Sequence, residues 1–87
     1  MVIKNVINIS RKPMFISYRK EYLAEALAAL KPDQETKIKI EFSVEMTPLG
    51  EKLIRIQFLQ DIHYPLVPIL RELKTYIHSL ELSGELP

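Results

Sequence analysis

The stretch Tyr18-Arg19-Lys20-Glu21-Tyr22-Leu23-Ala24-Glu25-Ala26-Leu27-Ala28-Ala29-Leu30-Lys31 decides the fold. Its apolar residues Tyr22, Leu23, Ala26, Leu27 and Leu30 recur at helical spacing, while Arg19, Lys20, Glu21, Glu25 and Lys31 fall toward solvent. That spacing predicts a helix through Glu21–Leu30, stopped at Lys31-Pro32-Asp33 because a residue before proline disfavours helical backbone. The helix start has two readings. Pro13 opens it, where a missing N–H costs nothing, or Ser17 caps it from Tyr18 onward.

On the N-terminal side, Val2 to Ser10 reads as a strand, with Ile3, Ile7 and Ile9 on one face and Lys4, Val6 and Asn8 on the other. On the C-terminal side, Thr36 to Glu45 is the clearest strand. Ile38, Ile40, Phe42 and Val44 alternate with Lys37, Lys39, Glu41, Ser43 and Glu45. Met46 to Glu51 holds a proline and a glycine, as a hairpin loop requires. Lys52 to Gln60 returns with Ile54, Ile56 and Phe58 on the core face and Leu53, Arg55, Gln57 and Leu59 opposite. After the connection Asp61–Pro65, the residues Leu66, Ile69, Leu70, Leu73, Ile77 and Leu80 mark a second helix to about Leu82. Pro65 and Pro68 suit its first turn, Ser83-Gly84 supplies a left-handed cap, and the last three residues are expected to fray.

The expected fold is therefore α+β, a two-layer sandwich of order β-α-β-β-α with both helices on one face of a small sheet. A right-handed crossover would make the first two strands parallel. The 87 residues suit one domain spanning 1–87. A domain so short gains from self-association, and the absence of cysteine removes disulfides as a supplement. No apolar run suits a membrane span or a secretory signal, so the expectation is a soluble cytoplasmic protein.

Charge is polarised along the chain. Residues 1–20 carry Lys4, Arg11, Lys12, Arg19 and Lys20 and no acid, a side-chain sum of +5, and the remainder sums to −4. Arg11-Lys12-Pro13 at a strand-to-helix junction would join two cations to the free N–H groups of a first turn, an arrangement that binds phosphate. Lys4, Arg19, Lys20, Lys37, Lys39 and Arg55 are secondary candidates; a solvated basic loop is the plainer alternative. An aromatic RNA platform is disfavoured, because Phe42 and Phe58 share the isoleucine face. His63 and His78 stand fifteen residues apart with no paired-ligand spacing, so neither a metal nor another cofactor is expected. Asp61 with His63 is too little for a catalytic site, and no nucleophile motif or glycine-rich loop is present, so the chain reads as non-enzymatic.

Residues 5–18, Asn5-Val6-Ile7-Asn8-Ile9-Ser10-Arg11-Lys12-Pro13-Met14-Phe15-Ile16-Ser17-Tyr18, resemble the start of the archaeal Alba chromatin proteins. There a strand leads through a small residue and two basic residues to a proline that opens the first helix. Lys37-Ile38-Lys39-Ile40 resembles the family's second strand in position. The resemblance ends after Glu45. It implies a small dimeric nucleic-acid binder with Arg11 and Lys12 against the backbone. The leading expectation is thus a dimeric DNA- or RNA-backbone binder of little sequence preference. The rivals are a protein-interaction or homo-oligomerisation module, and a small enzyme or ligand-binding subunit with its site at a dimer seam.

Overall fold

In the computed structural model, which describes residues 2–13, 18–31, 34–62 and 66–87, four strands cross one sheet in chain order. They are β1 (Val2–Arg11), β2 (Arg19–Lys31), β3 (Gln34–Met46) and β4 (Lys52–Phe58), and helix α1 (Leu66–Leu82) covers one face. Every neighbouring pair is antiparallel. The expected β-α-β-β-α order with two helices is overturned: residues 21–30 belong to β2, and β1 joins β2 without a parallel crossover. The alternative helix start at Ser17 lies outside the described residues, as do Pro32, Asp33, His63 and Pro65.

The physical reason lies in the alanines. At a period of two, Tyr22, Ala24, Ala26 and Ala28 share one face, and none is more than 6% exposed. Alanine satisfies a helical stripe equally well, and the intrinsic propensity of Ala, Leu, Glu and Lys favours helix. Pairing on both sides overrides that preference, since β2 lies between β1 and β3 and its backbone groups are taken up by two ladders. The same alanines leave space above the sheet. Ile69, Leu73 and Ile77 of α1, fully buried, share one core with them and with Ile38, Ile40, Phe42 and Val44. Fully burying each of the larger side chains contributes about 1.5–3 kcal/mol.

Strand β1 departs from simple alternation. Its register slips between Ile3 and Asn5 and again between Ile7 and Ser10, and Asn8 takes a φ of 52°. Such bulges re-aim side chains. Val6, expected on the solvent face, is buried with Ile3 in the core. Asn5 fixes the first irregularity by accepting from the Val6 N–H (2.9 Å) and from the Tyr76 hydroxyl of α1 (2.6 Å).

The remaining elements match expectation. In the β3–β4 hairpin, Gly50 sits at φ 82° and donates to the Thr47 carbonyl. Helix α1 ends in a left-handed cap at Gly84 (φ 72°). Glu85 donates to Leu80 and Gly84 to Glu81, which satisfies two carbonyls of the last turn. The segment beyond is held, contrary to the fraying expected. Leu86 packs against the core, and the Tyr22 hydroxyl donates to the main-chain oxygen of Pro87 at 3.1 Å.

Candidate interaction surface

With one helix, the sheet leaves its second face open. Odd-numbered residues of β2, β3 and β4 point there. In register they form rows: Arg19 with Glu45 and Leu53, Glu21 with Ser43 and Arg55, Leu23 with Glu41 and Gln57. Leu23, Leu53 and Leu59 are exposed, at 38%, 42% and 46%. Ser43 is sunk between its neighbours at 5%.

The strand state of β1 decides the fate of the basic pair. Arg11 pairs in register with Tyr22, whose ring points into the core, and the Arg11 charge acts on the Tyr22 phenol. Lys12 instead reaches across β2 to an ion pair with Glu41 on the open face. The two residues therefore serve different faces of the sheet. The helical N-terminus that would have joined them is absent from residues 19–31, which are strand.

The other candidate cations divide, Arg19, Lys37, Lys39 and Arg55 on the open face and Lys4 and Lys20 apart from them. Arg19 pairs with Glu21 at 3.0 Å and Glu45 at 3.8 Å, leaving its buried Nε without an acceptor. Lys4, at the first bulge, pairs with Glu35 at 3.0 Å. Lys20 opposes Val44 and so lies on the helix side. There it borders an open cleft of about 880 Å³ with Tyr18, Met46, Lys52 and Glu81. Lys52 and Glu81 pair with each other in that cleft. Lys37, Lys39 and Arg55 project from the open face, with no carboxylate within 4 Å among the described residues. The open face thus interleaves both signs. Glu21, Glu25, Glu41 and Glu45 stand among its cations, and Glu25 accepts from the Asn8 amide at 3.0 Å.

Sequence reasoning placed Lys12, Arg19, Lys37, Lys39 and Arg55 among surface cations, and the fold does bring these five to one face. It missed two of the acids that stand among them, Glu21 and Glu25. Alternation in β3 already put Glu41 and Glu45 beside Lys37 and Lys39; Glu21 and Glu25 join them only once β2 is a strand. No cluster of potential metal-binding side chains occurs among the described residues. No helix there is long and apolar enough to cross a membrane.

Tyr22 brings a phenol into the core. Burial pushes its pKa above the ordinary 10.0; Arg11 draws it down and Glu81 adds to the rise. This side chain anchors structure, because its ring stacks in the core and its hydroxyl holds the C-terminal segment.

No curated protein and no solved structure matches the chain. A protein-family model does match, over residues 1–82, and the chain belongs to the family which that model defines.

Proposed function

We propose that this domain is a non-enzymatic interaction module that associates with a second copy of itself. The observation that carries the reading is the composition of the open sheet face. Its charges are of both signs, Glu21, Glu25, Glu41 and Glu45 standing among Lys12, Arg19, Lys37, Lys39 and Arg55, and Leu23, Leu53 and Leu59 stand exposed between them. A face built for a polyanion presents cations with few acids among them and little apolar area. A face that is mixed in charge and partly apolar suits a protein surface, and identical copies are the commonest partner for a small domain. Light scattering during size exclusion, run over a range of protein and salt concentrations, tests it. The weight-average mass should rise with protein concentration and respond weakly to salt. A mass fixed at one chain throughout the range rejects the reading.

A second reading keeps the phosphate backbone as ligand, supported by Lys37, Lys39 and Arg55 and by the Alba-like residues 5–18. Its test is anisotropy with labelled DNA and RNA duplexes at several salt concentrations. Binding that weakens steeply with salt, with a slope flattened in Lys37→Ala/Lys39→Ala, supports it. No binding at low salt removes it.

A further inference from the structure

The two edges of the sheet are unequal. Along β1 the register slips twice and Asn8 is left-handed, which twists that edge away from a flat pairing partner. Along β4, Lys52–Phe58 keeps unbroken register with β3, without bulge or proline. The Leu59 N–H donates to the Lys39 carbonyl at 3.0 Å. Hydrogen-bonded pairs alternate along antiparallel strands, so residues 53, 55 and 57 spend their backbone groups on β3. Ile54, Ile56 and Phe58 turn theirs outward to an edge that pairs with no other strand among the described residues. A row of free N–H and C=O groups on a flat strand is a template for another strand.

We propose that β4 pairs antiparallel with β4 of a second copy about a two-fold axis at Ile56, fusing two sheets into one of eight strands. This rests on the self-association reading and names its geometry. The strand is self-complementary in that register. Ile56 meets Ile56, Ile54 meets Phe58, and on the open face Leu53 meets Leu59 and Arg55 meets Gln57. Residues directly opposite in an antiparallel pair point to one face and interact most strongly there. Neighbouring registers are poorer. Centring on Arg55 sets two guanidinium groups opposite each other, and centring on Gln57 sets Leu53 against Asp61 and Ile54 against Gln60. The pairing covers Leu53 and Leu59, two of the exposed leucines of the open face. Lys52, the residue that would otherwise guard this edge with a charge, is paired with Glu81.

The chain has no cysteine, which permits a clean cross-linking test. Leu53 and Leu59 would form a pair without mutual hydrogen bonds, where Cα atoms come within about 4.5 Å, inside disulfide reach. Leu53→Cys/Leu59→Cys should give a disulfide-linked dimer under mild oxidation. Leu53→Cys alone should not, because its two copies would stand roughly 20 Å apart along the strands. In sedimentation equilibrium, Leu53→Lys/Leu59→Lys should weaken the dimer roughly tenfold by opposing like charges twice. Leu53→Lys/Leu59→Glu should recover much of that loss only in this register. All these positions are exposed, and circular dichroism confirms that each variant folds. A dimer that neither cross-links in the double cysteine variant nor responds to the lysines overturns the edge pairing while self-association stands. A strict monomer at millimolar concentration overturns both.

Discussion

The ring of Tyr22 lies stacked on that of Phe42, centroids 4.9 Å apart and planes 19° from parallel, where β2 and β3 pair directly. Both rings are 1% exposed, so this contact sits at the centre of the core. Phe42→Ala should destabilise the fold by about 3–5 kcal/mol, which urea unfolding measures directly. Tyr22→Phe keeps the ring and loses only the bond to Pro87, so it should cost about 1 kcal/mol.

Alkaline unfolding follows from the same side chain. Burial raises the folded-state pKa of Tyr22 above its unfolded value, against the pull of Arg11 and with the help of Glu81. Between those two values the folded chain holds a proton that the unfolded chain has released, so stability falls as pH rises. The Tyr22 contribution is fully present below about pH 10 and is lost through the folded-state pKa above it. The gap between the unfolding midpoints of wild type and Tyr22→Phe, followed from neutral pH upward, should stay constant below that point. Above it the wild type should fall more steeply.

Ala26 is fully buried in the core shared by β2 and α1. Ala26→Leu improves the helical stripe that the sequence suggests, yet it inserts three carbons where the helix rests. It should destabilise by about 1–3 kcal/mol. A stabilised variant with increased helical dichroism would show that residues 21–30 can leave the sheet.

Gly84 has φ 72°, and a Cβ built there meets no atom within 4 Å. Gly84→Ala therefore costs only the left-handed backbone, about 1 kcal/mol, with no steric addition. Thermal melting should register this as a small downward shift with the cooperativity unchanged.

Strand β3, the Gly50 hairpin, β4 and α1 were legible because a single period fitted each of them. Ile38, Ile40, Phe42 and Val44 alternate cleanly, and Ile69, Leu73 and Ile77 recur only as a helix. In β2 both periods fitted. Tyr22 and Ala26 belong to either stripe, and only the neighbours β1 and β3, remote from local propensity, decide between them. Misreading that element also displaced the candidate site. Adjacent residues on a strand face opposite ways, so Arg11 and Lys12 separate once no helix gathers them. For Val6 the obstacle was the bulges. Asn5 and Asn8 were the available signal, since asparagine tolerates left-handed backbone, but their position did not reveal which way the register would slip.

The hydroxyl of Tyr76 on α1 bonds Asn5 on β1, 71 positions away in the chain, whereas strands pair with their immediate successors. Synthesis on the ribosome therefore delivers the sheet before its cover. Successive hairpins close over short loops and form early. From the completion of β4 until α1 emerges, the face bearing Ile38, Ile40 and Phe42 has nothing to pack against. The nascent chain is most prone to aggregate in that interval, and chaperone demand should peak there.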